Sequence, residues 1–193
     1  MLEPLKSLLE DKINDLLSTM NKSDVIPIYK ILNLVSDLIS QFNSGNKVLI
    51  FGNGGSAAEA MHIAAEFTGK CILDHRPLPV LCLNESQSSI TAITNDFGFE
   101  EIFSRNISAF AEAGDIVIGL STSGKSKNVL KGLEMALEKR CKVILWTGDQ
   151  DVKMKNIEIW KAPTKTTPRI QEIHLIWGHL ISELVEEALI NLV

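Results

Sequence analysis

The sequence predicts a three-layer α/β sandwich, a five-stranded parallel sheet between helices, preceded by two extra helices. Three observations carry this. Short β-rich runs alternate with helical stretches from about residue 47 onward, the order of βαβ units, whose sheets are parallel and covered on both faces. Two of the runs end at loops of small or hydroxyl-bearing residues that open a helix. The first 45 residues show helical periodicity alone. With 193 residues, 45% of them apolar, the chain suits a single domain over 1–193 with a substantial core.

The elements follow in order. Leu2, Leu5, Leu8, Leu9, Ile13, Leu16 and Leu17 recur at helical spacing, and Ile26, Ile28, Ile31, Leu32, Val35, Leu38 and Ile39 set a second helix over about 23–44. These helices, within 1–45, carry more apolar face than a sheet edge requires. They are read as a subunit interface for oligomerisation, with plain core packing as the alternative. The α/β core then spans 46–193. KVLIF at 47–51 is a strand that stops at Gly52-Asn53-Gly54-Gly55-Ser56 and gives way to a helix reaching about residue 70. LPVLCL at 78–83 is a second strand, 99–111 a helix, and DIVIGL at 115–120 a third strand ending at the hydroxyl-rich loop. A helix over about 127–140, strands KVILWT at 142–147 and NIEIWK at 156–161, and one long helix from 167 to about 191 complete the set. Ligands of such a sheet bind beyond the carboxyl ends of its strands, where both loops lie.

Composition narrows the partners. A net charge of −5 argues against nucleic acid, whose nonspecific affinity comes from clustered Lys and Arg. Cys71, Cys82 and Cys141 are odd in number and far apart, so neither a disulfide framework nor a C-x-x-C metal site is expected and a reducing cytoplasm fits. The opening MLEPLKSLLEDKINDLL mixes acids and bases into its apolar positions, unlike a signal peptide. No apolar run approaches the length that spans a bilayer, so no membrane is expected as a partner.

Residues 119–126, Gly-Leu-Ser-Thr-Ser-Gly-Lys-Ser, satisfy the nucleotide pattern G-x-x-x-x-G-K-[ST]. Their context speaks against a nucleotide. A hydrolysing phosphate loop needs a second strand ending in a magnesium-binding acid, whereas KVILWT runs into Gly148-Asp149 with the acid beyond its end. The hydroxyls of Ser121, Thr122, Ser123 and Ser126, together with free N–H groups at a helix N-terminus, suit a compact phosphate monoester, with Lys125 a peripheral charge. A purely structural turn is the alternative. Gly52-x-Gly54-x-x-Ala57, with Glu85 past the second strand, also meets the context of a dinucleotide fingerprint, although any tight βα turn favours such small residues.

His62 and Glu66 stand four apart and share one helix face. A carboxylate among Ala64, Ala65 and Phe67 suits a base that abstracts a proton next to a carbonyl; the same spacing also makes a surface ion pair. The last helix carries Arg169, Gln171, Glu172, His174 and His179. On a straight helix His179 lies roughly 80° around and about 12 Å along from Gln171. The two serve different parts of a larger substrate or meet at a site shared between subunits, and either histidine can equally be a packed or capping residue.

Gly52-Asn53-Gly54-Gly55-Ser56-Ala57-Ala58, Met61-His62-x-x-x-Glu66, Thr94-Asn95-Asp96-Phe97-Gly98, Ser121-Thr122-Ser123-Gly124-x-Ser126 and Arg169-Ile170-Gln171-Glu172-x-His174-x-x-x-x-His179 together closely resemble the phosphoheptose isomerases. These are the sedoheptulose 7-phosphate isomerases of the sugar isomerase (SIS) fold. The resemblance implies flavodoxin-like strand order and the isomerisation of sedoheptulose 7-phosphate to D-glycero-D-manno-heptose 7-phosphate, the first step towards activated heptose for lipopolysaccharide, capsule or S-layer glycans. It implies that Glu66 is the base that moves a proton between C1 and C2 through an enediol, with His179 as its partner acid/base. It implies that Ser121, Thr122, Ser123 and Ser126 hold the phosphate, and that Asn53, Gly54, Gly55, Ser56, Glu66, Asn95, Asp96 and Gln171 hold the sugar. It further implies zinc on His62, Glu66, Gln171 and His179, a plausible donor set apart from the unusual amide, no nucleotide, and a homotetramer with active sites between subunits.

The chain departs from the family at two places. Lys125 stands where asparagine is common, and this alone creates the nucleotide look-alike. Thr167-Pro168 precedes Arg169 where an acid or other polar residue is common. Relatives that keep the scaffold but regulate a protein partner, such as the replication initiator, tend to lose the catalytic pair; His62, Glu66 and His179 are all present here.

Overall fold

Successive side chains of a strand point to opposite faces, and in this protein that alternation divides the interior into two apolar layers. The structure, a computed structural model, describes residues 2–191. Helices α1 (Leu2–Met20) and α2 (Ile28–Asn43) lead into β1 (Val48–Gly52), α3 (Gly55–Thr68), β2 (Val80–Cys82), α4 (Gln87–Phe97), a 3-10 turn at Phe99–Glu101 and α5 (Ile102–Phe110). Then come β3 (Ile116–Leu120), α6 (Lys127–Glu138), β4 (Lys142–Thr147), β5 (Glu158–Lys161) and α7 (Thr167–Asn191). The five strands lie in the order β2-β1-β3-β4-β5, every pair parallel. This is the flavodoxin-like order. Val48, Ile50, Ile118 and Trp146 pack on one face with α2, α3 and α7. Leu49, Phe51, Val117 and Leu145 pack on the other with α5 and α6.

The two N-terminal helices part company. α2 buries Ile31, Leu34, Val35, Leu38 and Phe42 in the layer it shares with α7, which is the core-packing alternative. α1 leaves Leu2, Leu5, Leu8, Leu9, Ile13 and Leu17 exposed and buries Thr19 alone among its described residues. The loop between them and α2 also dress the outer strand. Lys30 Nζ donates to the Ile159 carbonyl at 2.7 Å and Lys22 Nζ to that of Pro163 at 2.5 Å, blunting an edge that would otherwise offer unpaired backbone.

Departures from the sequence expectation have physical causes. α4 is not expected from the sequence, because its apolar stripe is only Ile90, Ile93 and Phe97 in a polar run and none of its residues is fully buried. It forms with Ser86 as its cap, whose hydroxyl accepts the Ser89 N–H at 3.3 Å. α2 begins after Pro27 and not at residue 23, as expected of a proline fixed at the entrance to a helix. The expected helix over 99–111 starts as the 3-10 turn. β2 and β5 are shorter than their apolar runs. Among the described residues no helix is long and apolar enough to cross a membrane.

Candidate active site

β1 pairs with β2 on one side and with β3 on the other, so the loops leaving β1 and β3 diverge and open a crevice at the carboxyl end of the sheet. Both motif loops line it. After β1, Asn84 braces the turn: its Oδ1 accepts the Gly52 N–H at 3.2 Å and its Nδ2 donates to the Gly52 carbonyl at 2.9 Å. The turn needs its glycines. Gly54 has a φ of 55°, and a Cβ on Gly55 would stand 2.1 Å from Gln171 Nε2.

After β3, the chain turns through Gly124 at a φ of 62°. Buried Ser121 donates its hydroxyl to Ser126 Oγ at 2.9 Å, Ser123 Oγ accepts the Lys125 N–H at 3.2 Å, and the Thr122 carbonyl accepts the Gly148 N–H at 3.2 Å. Ser126 stands at the start of α6, where unpaired N–H groups and the helix dipole favour an anion. Lys125 lines a different hollow, with Glu134, Asp151 and Lys153.

α3 and α7 lie side by side, and Gly178 permits the approach: a Cβ there would meet Ile63 Cγ1 at 2.5 Å. The next residue, His179, consequently faces His62. Their Nε2 atoms are 2.9 Å apart, the rings meet edge to face at 75°, and Glu66 Oε1 lies 3.1 Å from His62 Nε2. The donor atoms of His62, Glu66 and His179 all lie within 4.8 Å of one another. Two ring nitrogens and a carboxylate converging in this way need a proton or a cation between them, and this donor set suits zinc. The His62 side chain is about half exposed and that of Glu66 largely buried, at 49% and 15%. The cluster therefore has an open side at His62 and a sheltered carboxylate at Glu66.

Gln171 does not join this cluster within the chain. Its amide stands against Gly55, at the N-terminal end of the same helix pair, so the separation expected along α7 is taken up by contacts with two different parts of α3. His174 is the packed histidine: fully buried, against Trp146 and Trp177, with Nε2 3.3 Å from the Thr147 carbonyl. Asn95 donates to Asp96 at 2.6 Å on exposed α4.

Three features have no counterpart in the sequence expectation. Asn128, buried in the first turn of α6, pairs with Asn53. Burial, and then the neighbouring Glu66 carboxylate, push the Cys71 thiol up to about 11, so it stays protonated beside that carboxylate. Glu186, buried in α7, accepts the N–H groups of Cys71, Ile72 and Leu73 at 2.6, 2.9 and 2.9 Å, with His75 Nε2 3.2 Å away. Burial works to raise the Glu186 pKa, but these backbone donors and His75 hold it below the ordinary value. The loop after α3 is thereby latched to α7. Nothing in the acidic run around Glu186 marks it out from its exposed neighbours.

The family model for the SIS domain matches residues 10–148. A phosphoheptose isomerase of Thermodesulfovibrio yellowstonii is 44% identical over 161 residues, 82% of this chain and 80% of that one, and one of Aneurinibacillus thermoaerophilus is 42% identical over 96% of this chain and 93% of its own. The chain belongs to the phosphoheptose isomerases of the SIS family. Among solved structures, the phosphoheptose isomerase of Neisseria gonorrhoeae superposes with a TM-score of 0.85 at 30% identity, over 95% of this chain and 99% of the other. That of Francisella tularensis gives 0.82 at 27% identity, over 96% and 98%. This chain is therefore an isomerase on a phosphoheptose isomerase scaffold from α1 to α7.

Proposed function

We propose that the protein interconverts sedoheptulose 7-phosphate and D-glycero-D-manno-heptose 7-phosphate by proton transfer between C1 and C2. The convergence of His62, Glu66 and His179, in a chain whose loop after β3 offers hydroxyls to a phosphate, supports this reading. Ser121, Thr122, Ser123 and Ser126 take the phosphate; Gly54, Gly55, Ser56 and Gln171 flank the sugar, with Asn53 in the same turn and Asn95 and Asp96 reaching it from α4. Starting from the ketose, Glu66 removes a proton from C1 while the C2 carbonyl oxygen gains one from an acid, which gives the enediol. The proton then returns to C2 as the O1 hydroxyl loses its own, and His179 serves these oxygens. His62, Glu66 and His179 have the donor chemistry to hold zinc, with Gln171 the fourth family position, and a bound zinc ion supplies Lewis-acid polarisation of the substrate oxygens.

The apolar row that α1 leaves exposed supports a subunit interface, and in this reading four copies assemble in the cytoplasm with sites between them. The product leads towards activated heptose. Converging acid/base groups favour an enzyme over a non-catalytic regulator of a protein partner.

Conversion of sedoheptulose 7-phosphate, followed by resolving the two heptose phosphates chromatographically, tests the proposal. The wild type converts it and Glu66→Gln does not. An inert wild type overturns the substrate, and a fully active Glu66→Gln overturns the assigned base.

A further inference from the structure

We propose that Asn128 is a positioning residue that locks the two loops of the site together through a reciprocal amide pair with Asn53. The proposal rests on the isomerase reading above. Asn53 Nδ2 donates to Asn128 Oδ1 at 2.8 Å, and Asn128 Nδ2 donates to Asn53 Oδ1 at 2.8 Å. Asn53 belongs to the turn between β1 and α3, and Asn128 to the first turn of α6, two residues after Ser126. The contact thus joins the loop beside the sugar to the loop that holds the phosphate.

Asn128 is 2% exposed, so water does not replace a lost partner there, and an unpaired amide in that place is costly. Its Oδ1 also accepts the Val129 N–H at 2.9 Å, satisfying one of the free donors of the α6 N-terminus. The anion is left to the hydroxyls and to the N–H groups that precede it. The pair fixes the orientation of the Asn53 side chain and leaves it a second N–H and a second lone pair. Among residues of this size, a carboxamide is the group that presents a donor and an acceptor side by side. Aspartate at 128 keeps the shape, loses one of the two bonds and adds a negative charge beside the phosphate.

The test compares wild type, Asn53→Ala, Asn128→Ala, Asn128→Asp and the double alanine variant. Each gives kcat and KM for sedoheptulose 7-phosphate and the inhibition constant of inorganic phosphate, with thermal melting in parallel. The single alanine variants raise KM and the phosphate constant together by about tenfold, with kcat within about threefold of wild type. The double variant is no worse than either single one, as expected of two residues acting through one contact. Asn128→Asp raises KM further than Asn128→Ala. Additive single effects overturn the proposal, as does a loss of kcat in Asn53→Ala with Asn128→Ala silent, which places Asn53 on the sugar itself. If Asn128→Ala does not fold, Asn53→Ala, changed at the half-buried partner, and isosteric Asn128→Asp report on the same contact. If the wild type does not turn over the sugar, the isomerase reading falls. Calorimetric titration of inorganic phosphate into wild type and Asn53→Ala then decides the clamp, and equal affinity overturns it.

Discussion

The loops after β1 and β3 are built alike, strand to small-residue turn to helix, yet they contribute different chemistry. The first delivers a helix whose side facing α7 brings His62 and Glu66 to His179, and the Gln171 amide lies over Gly55 of its turn. The second uses the turn itself, with its hydroxyls at the mouth of α6. In the proposed function the loop after β1 serves the chemical step and the loop after β3 the hold on the anion. Substitutions in the first are expected to act on kcat and those in the second on KM.

The largest effect tests that division directly. Glu66→Gln keeps the side-chain volume and removes the base, so kcat falls by roughly 10³-fold with a smaller change in KM; a variant that loses KM alone removes the division. His62→Ala takes one donor from the cluster at no cost to the phosphate loop. We expect zinc content, measured by elemental mass spectrometry, to fall at least about tenfold, and chelation of the wild type to stop turnover until zinc is restored. On the other loop, Thr122→Ala is expected to raise KM by about tenfold while kcat holds; a fall in kcat with unchanged KM contradicts the anion role.

Smaller effects come from the frame around the loops. Glu186→Ala takes the acceptor from three part-buried N–H groups and costs about 3 kcal/mol of stability by denaturant titration. Because the folded pKa of Glu186 lies below its ordinary 4.5, the latch contributes fully above that value and is lost as pH falls through the lowered one. In Glu186→Gln the acid limb of the stability curve is flatter. Lys125→Asn, at an exposed position of the loop, leaves activity within about twofold, as expected of an exposed charge. A collapse there revives a nucleotide-like role for the lysine.

The sheet was legible because its three central strands, buried on both faces, are short apolar runs closed by a glycine or hydroxyl loop: VLIFG, IVIGL and KVILWT read as strands at sight. The four-residue spacing of His62 and Glu66 is enough by itself to put them on one helix face. α4 was not legible, since it half-buries only Ile90 and Ile93 and its polar residues suit a loop as well as a helix. The division of labour between α1 and α2 was not legible either. Both are amphipathic, and periodicity reports that a face is apolar without naming what covers it.

The sequence by itself therefore determined the alternation of elements and the two small-residue loops at the carboxyl ends of β1 and β3, because these follow from local pattern and from the parallel topology that pattern enforces. Only the tertiary structure decided which of those residues meet. His179 comes to His62 and Gln171 to Gly55 because Gly178 and Gly55 let α7 lie close along α3, and Asn128 comes to Asn53 across 75 residues of chain. Such pairings are set by the packing of whole elements, and packing distances leave no mark on the spacing of residues within one.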